Sequence, residues 1–494
     1  MTDHSDRFME SFAPAKPPKL DELEAKRQQV IMEYNQSTLN ELLRENSLRP
    51  VRVSQVNVLG DNLQFRDKFL ARQLHPLLKN PGLLTLKSFL HKVDTTAHNF
   101  TKTAAVEQVS SQIDSSVFRS PGNSPDMLEL VANVKLKPVK KLFMKVGTNV
   151  GNGEGDGYLS LQWRNIFGGA ETLTFDTNMA SNQIGTRNRS QYLLNYSMPV
   201  LNSPDQKIDI LLYHSSRFID YTTYHEQIVS GITTKITTNH LPFEHRFNQE
   251  LSLENLIRAI SLEPSPNGYR NNSLINDYFL FNAGESPKSS VSYSISHDTR
   301  DRPVFPTAGH LFKSITEYSF LPASTFLKTT LQLSQAFKIS NSLSLSMTTK
   351  LGLIKGLNNA LIHPMDKFQS GGPNDIRGFW TSGIGPKQMG LSIGGDASFS
   401  YGLSLFQRIP FLSSDSNFKL HYFFNSGKLI NLDTSKSVWG LPSLFNQLNT
   451  TAGFGIVYAH PAARFELNFT LPIAIHNGDE VRKGIQYGIG LSFL

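Results

Sequence analysis

No cysteine occurs among the 494 residues. Disulfide scaffolds, thiol catalysis and cysteine-based zinc or iron–sulfur centres are therefore excluded. There is no run of about 18 apolar residues, so no transmembrane helix is encoded. A helical membrane protein is thus ruled out. A soluble protein and a transmembrane barrel both remain, because barrel strands give only a weak alternating signal. Dense Lys/Arg runs are missing and the net charge of +7 is modest for this length, which argues against nucleic acid as a partner. The 14 histidines show no His-Glu-x-x-His or paired metal-ligand spacing. A Walker loop and a Gly-x-Ser-x-Gly elbow are also absent. Gly151-Asn152-Gly153-Glu154-Gly155-Asp156-Gly157 lacks the acid spacing of a calcium loop and precedes a strand-like stretch, so it reads as a hairpin tip. The expectation is a chain with no metal, no cofactor and no enzymatic chemistry. Met1-Thr2-Asp3-His4-Ser5-Asp6 carries acids and no apolar core, unlike a secretory signal or an Arg-rich presequence. If the chain is an outer-membrane barrel, it is expected to reach its membrane from the cytosol without a cleaved signal.

What is present falls into three parts. Residues 1–47 form an extension. Its first 20 residues mix Pro, Lys and acids and read as disordered. Residues 21–46 have helical spacing at Leu39, Leu42 and Leu43, with Asp21 as the expected cap. Residues 48–140 read as a βααββ module. Val51 to Val58 alternates as a strand ending at Gly60. Arg66–Lys79 sets Phe69, Leu70, Leu74 and Leu77 on one helical face. After a Pro81-Gly82 turn comes a helix over Leu84–Thr103, then strands over Val106–Ile113 and Leu128–Val139.

From Lys141 to residue 494 the texture changes to alternating segments divided by Gly/Asn/Asp/Pro/Ser clusters. About 16 such segments fit in roughly 350 residues, an even count of the kind bacterial barrels have. A spacing of about 22 residues per strand suits strands that cross a bilayer at a tilt. Near the end, Arg464, Glu466, Asn468 and Thr470 alternate with Phe465, Leu467, Phe469 and Leu471. In a soluble sandwich the apolar side is the core; in a barrel it faces lipid. Periodicity alone does not separate these. The expected size does, because a closed sheet of about 16 strands has a lumen too wide for side chains to fill, so a polar interior follows.

The stretch Lys367–Phe379 is turn-rich and carries a single Arg. It lies in an expected connection of roughly 30 residues, well above the usual length and so a functional candidate. Ile376-Arg377-Gly378-Phe379 resembles the [V/I]-R-G-[F/Y] signature of the outer-membrane β-barrel assembly superfamily that includes bacterial BamA. Four further stretches resemble motifs of that superfamily in the same order. They are Asn165–Glu171, Asp298-Thr299-Arg300-Asp301 with Pro306-Thr307-Ala308-Gly309, Gly394-Gly395-Asp396-Ala397, and Phe423-Phe424-Asn425-Ser426-Gly427. Residues 48–140 resemble its POTRA module. The stretches Lys367–Phe379 and Arg464–Leu471 and the short C-terminus look most like the mitochondrial, fungal-type branch, the barrel subunits of sorting and assembly machineries. Gln486-x-Gly488-x-x-Leu491-x-Phe493 resembles the β-signal by which mitochondrial barrels are recognised.

The resemblance implies a transmembrane β-barrel in the mitochondrial outer membrane, with the POTRA domain in the intermembrane space. It implies an insertase for β-barrel precursors, with a lateral gate between the first strand (Lys141, Phe143, Lys145, Val146, Gly147) and the last (Gln486 onward). Implied partners are membrane lipid, the precursors, two peripheral cytosol-facing subunits, and a second barrel and the outer-membrane translocase. In relatives the tetrad Arg bonds lumenal carboxylates, but here the matching positions are Ser404 and Asn425. Arg377 is therefore expected in a wet lumen without its usual partners, with Asp396 or Glu466 sharing the role. A protein-exporting pore, a metabolite channel and a soluble all-β protein are the competing readings.

Overall fold

The computed structural model describes residues 19–490 and 494, apart from 61–62, 80–83, 104, 116–126, 152–153, 183–188, 221–224, 241–245, 263–276, 303–304, 359, 411, 413–415, 433–436 and 461–462. The chain divides into two compact units, Met1–Leu63 with Leu70–Pro138, and Gln64–Phe69 with Val139–Leu494.

Helix α1 (Lys19–Glu45) begins ahead of Asp21, which therefore lies inside the first turn and does not cap it. There follow β1 (Pro50–Leu59), α2 (Asp67–Gln73), α3 (His75–Leu78), β2 (Leu84–Thr85), α4 (Leu86–Lys102), β3 (Val106–Ser115) and β4 (Leu128–Pro138). The single helix expected over Arg66–Lys79 is two short ones. Pro76 stands at the start of α3, where its missing N–H breaks the ladder behind it and suits a new first turn. The Thr85 side chain caps α4, accepting the Ser88 N–H at 3.3 Å. Phe89, Val93 and Phe100 then recur on one buried face. The sheet order is β2-β1-β4-β3, with β1 and β4 parallel. Val51, Leu77, Phe89, Val93 and Ala132 form the core. The βααββ order is that expected of a POTRA-like module; β2 is an addition. The Pro81-Gly82 turn and residues 1–18 lie outside the described residues.

The second unit is a single antiparallel sheet of sixteen strands. It begins with β5 (Leu142–Gly151), β6 (Glu154–Arg164), β7 (Thr172–Asn182), β8 (Arg189–Pro199), β9 (Gln206–Asp220), β10 (His225–His240) and β11 (Arg246–Leu262). Helix α5 (Asp277–Phe281) precedes β12 (Gly284–Asp298), β13 (Gly309–Ser319), β14 (Phe326–Ser340) and β15 (Leu343–Gly356). A long connection carries the two-residue pair β16 (Lys387–Gln388) and β17 (Leu391–Ser392). The sheet resumes with β18 (Ala397–Arg408), β19 (Phe418–Ile430), β20 (Asn449–His460), β21 (Ala463–Ala474) and β22 (Gly484–Gly490). Each strand pairs with its predecessor in the sheet, and β15 pairs with β18. The strands are unequal. β9 to β12 run 15 to 17 residues and β5 ten; β22 is described as far as Gly490.

The side question has a clear answer on β21. Arg464, Glu466, Asn468 and Thr470 are buried, whereas Phe465, Leu467, Phe469 and Leu471 are 40–57% exposed. Polar inside and apolar outside is the reverse of a soluble sandwich and is the pattern of a transmembrane barrel. Ser290, Ser334, Ser344, Thr348 and Ser400 are buried on the same inner side. The lumen by β18–β22 is occupied: the connection 357–396 packs there.

Candidate functional site

The connection from 357 to 396 is longer than expected, and its middle is a closed local structure. Asp375 Oδ2 accepts from Ser370 Oγ (2.8 Å) and from the Gly371 N–H (3.0 Å). Gly371 has φ +105°, and a Cβ there would lie 2.7 Å from Trp380 O. Gly378 has φ +83°, and a Cβ there would stand 3.0 Å from Thr451 Cγ2. Both positions demand glycine. Ile376, Phe379 and Ile384 pack with Leu429 and Leu494, so the tetrad is anchored by its apolar members on either side of the Arg.

Arg377 is fully buried. Its Nε donates to Glu466 Oε2 at 2.9 Å, and Nη2 lies 2.8 Å from the same oxygen. Its Nη1 donates to Asn425 Oδ1 (3.0 Å) and to Leu494 O (3.2 Å). The guanidinium lies over the Phe423 ring at 5.1 Å, a cation–π contact strengthened by loss of water. Glu466 also pairs with Arg464 and accepts from Asn468 Nδ2 at 2.7 Å. Arg464 lies over the rings of Phe406 (4.8 Å) and Phe305 (5.8 Å). His421 bridges Asn468 and Ser404 at 3.1 and 3.0 Å. Two guanidiniums thus share one carboxylate, inside a wall of amides, hydroxyls and rings.

The wet, weakly partnered Arg expected from the sequence is instead buried and paired with Glu466. The amide oxygen of Asn425 accepts where a carboxylate was expected, while Ser404 serves His421. Of the two candidate acids, Glu466 meets Arg377. Asp396 is engaged elsewhere, pairing with Lys367 (3.2 Å) and accepting the Leu432 N–H (3.1 Å). The reason is height along the wall. Asp396 sits just before β18 begins, whereas Asn425 pairs with Gly402, about 20 Å further along that strand.

The loop also grips the last strand. Gln486 Oε1 accepts the Gly378 N–H (2.9 Å), and Gln486 Nε2 donates to Phe379 O (3.2 Å). Asn374 Nδ2 donates to Ile489 O (3.1 Å). Arg482 N donates to Gly378 O (2.8 Å) and Trp380 N to Glu480 O (3.1 Å). Gly488 pairs with Glu466 across β21 and β22. Leu491 and Phe493 lie outside the described residues. Leu494 is seated in the lumen, where a Cβ on Gly402 of β18 would meet it at 2.6 Å.

At the other edge of the sheet, β5 starts at Leu142; Lys141 precedes it and its carbonyl accepts the Arg164 N–H (2.7 Å). Phe143 lies under Arg164 (5.4 Å) and Lys145 over Tyr158 (5.5 Å). Gly147 leaves room for the Tyr158 ring, which a Cβ would meet at 2.4 Å. Val146 points the other way with Leu142 and Met144, each 63–68% exposed. Among the described residues no pairing joins β5 to β22.

The mid-barrel motif is a built turn. Asp298 pairs with Arg300 (2.9 Å), and Asp301 accepts Thr307 N (2.8 Å), Thr307 Oγ1 (2.6 Å) and Ala308 N (3.2 Å). Burial opposes ionisation of Asp301, but these hydrogen bonds outweigh it and hold its pKa below the ordinary value. The turn delivers Phe305 to Phe406 and Val457. Sequence reasoning missed Phe305 and Arg464 as members of the Arg377 site. Arg464 stands on the same strand phase as Glu466, which was the available signal; nothing in the turn marked Phe305.

A sixteen-stranded sheet with a polar inner face, an apolar outer face and a re-entrant loop locked by a buried Arg defines a transmembrane β-barrel of the outer-membrane class. A model described as the Omp85 superfamily domain matches residues 165–493. The chain is 33% identical to a SAM50-like protein of Schizosaccharomyces pombe, over 92% of this chain and 94% of that one. It is 31% identical to the sorting assembly machinery 50 kDa subunit of Saccharomyces cerevisiae, over 91% and 95%. The fold is similar to that of BamA from Haemophilus ducreyi lacking POTRA domains 1–3, with TM-score 0.64, 16% identity, and 89% and 84% of the two chains covered. The chain belongs to the Omp85 superfamily and, within it, to the SAM50 family.

Proposed function

We propose that this protein folds β-barrel precursors and inserts them into the mitochondrial outer membrane. Its relatives are named as sorting and assembly machinery subunits, which supports both the activity and the location. The observation that carries the mechanism is the seam. β5 and β22 are the two ends of the sheet, each hydrogen-bonded on one side only among the described residues. In hydrocarbon each unsatisfied backbone group costs several kcal/mol. A precursor strand therefore gains most by pairing with an edge already held in the membrane. The precursor's last strand, carrying the β-signal, pairs with β5 and displaces β22; further strands follow as hairpins until the new barrel closes. Main-chain bonds give affinity and alternate side chains give selectivity. The work is physical, without covalent chemistry, a cofactor or a nucleotide. The POTRA-like unit faces the intermembrane space, and peripheral cytosol-facing subunits, a second barrel and the translocase complete the machinery. The sorting and assembly names of the relatives weigh against an export or metabolite pore.

The test is disulfide trapping between single cysteines placed along Leu142–Thr148 and one cysteine in the last strand of an import-arrested barrel precursor. The chain has no native cysteine, so every cross-link is assignable. A ladder that obeys one register supports strand exchange. An absence of cross-links while the precursor still inserts refutes it.

A further inference from the structure

The loop has a second attachment, on another part of the wall. Asp366 lies in its stem and is 4% exposed. Its carboxylate accepts hydrogen bonds from Arg258 on β11 and from Lys288 on β12, the latter at 3.0 Å. Its backbone carbonyl accepts from Lys328 Nζ on β14 at 2.7 Å. Lys288 is shared with Glu317 on β13. Lys328 also lies over the ring of Phe368, two residues further along the loop, at 4.8 Å. Three strands, β11, β12 and β14, thus meet at one loop residue, and β13 joins them through Lys288. The partners of Arg377 stand on β19, β21 and the segment after β22, with β15 and β18 between the two sets in the sheet.

The two attachments differ in what strand exchange does to them. Gln486 and Asn374 tie the loop to β22 itself, so those bonds are lost when β22 gives way. Arg377 stays with Glu466 on β21, the strand that borders the opening. The Asp366 attachment is on β11–β14, remote from both edges of the sheet. Burial resists ionisation of Asp366, yet Lys288 and Arg258 outweigh it and hold its pKa below the ordinary value. Charges this deep persist only when paired. We infer that Asp366 is a positioning residue that fixes the loop stem to β11–β14, so that the loop keeps its place in the lumen while β22 is displaced. This inference rests on the strand-exchange reading.

The test uses the full chain in planar bilayers and in an insertion assay. Asp366→Asn keeps the shape and removes the charge. It is expected to raise the ion conductance through the lumen and to slow precursor insertion by about tenfold, the factor one charge-assisted hydrogen bond is worth. Asp366→Glu is expected to restore both in part. A folded Asp366→Asn barrel with unchanged conductance and unchanged insertion overturns the inference. Should Asp366→Asn fail to fold, Lys328→Met removes the bond to the backbone carbonyl and keeps the carboxylate paired. Raised conductance in that variant supports the attachment, and wild-type conductance overturns it. The underlying reading fails separately: if wild type gives no β5 cross-links while Asp366→Asn raises conductance, the stem attachment stands and strand exchange falls.

Discussion

At the scale of single residues, the site turns on one carboxylate serving two buried guanidiniums. Glu466→Gln takes from Arg377 and Arg464 the carboxylate they share in the lumen wall. Breaking a buried pair in this way costs about 3–5 kcal/mol, and urea unfolding in lipid vesicles should record a loss of that size. Arg377→Lys is a subtler lesion. It keeps the charge but gives up the planar fork that reaches Glu466, Asn425 and Leu494 together. The expected outcome is a folded barrel with slowed precursor insertion; wild-type insertion in Arg377→Lys contradicts a role for the fork. The sequence made Arg377 and Glu466 legible, because the tetrad is unusual and strand phase placed Glu466 inside. It did not make the burial of the site legible. Burial of Arg377 depends on Phe423 and the seated Leu494, which come from two stretches of chain separate from the loop. Strand phase says which way a residue points and nothing about what the loop brings opposite it.

At the scale of elements, the barrel strands were readable and the loop was not. Alternation of period two marks a strand whatever it packs against, and sixteen strands stand where about that many were expected. Where local chemistry competes, the reading slipped. Pro76 split a helix, α1 ran past its expected cap, and the connection spread from 357 to 396. The loop stem gives this scale its own prediction. His363 is buried beside Asp366; burial, followed by the Arg258 and Lys288 charges, lowers its pKa to about 4 against the partial opposition of Asp366. An unseated stem titrates near the ordinary value, so as pH falls from about 6.5 toward 4 the unseated form takes up a proton that the seated form refuses. Seating should therefore weaken as the solution is acidified through that window. Protease accessibility of the stem, followed from pH 7 to pH 5, checks this. His363→Gln should flatten the profile, and an equally steep profile in that variant assigns the effect to another group.

At the scale of the whole barrel, the inequality of its strands has a mechanical meaning. A tilted strand needs about 9–11 residues to cross the hydrocarbon layer. β5 has ten, little more than the layer requires, whereas β11 has 17. The strand wall is consequently shorter at the β5 edge of the sheet than at β11. Lipid next to a short wall must compress, at a fraction of a kcal/mol per ångström of mismatch. Precursor insertion should accordingly run faster in vesicles of short-chain phosphatidylcholine, which are thin already, than in long-chain ones; equal rates in both discount the mismatch. Seen this way, the bilayer is a loaded spring clamped unevenly around the protein. On the strand-exchange reading, that deformation falls where a precursor strand pairs, and part of the barrier to entry is lowered by the solvent and not by any side chain.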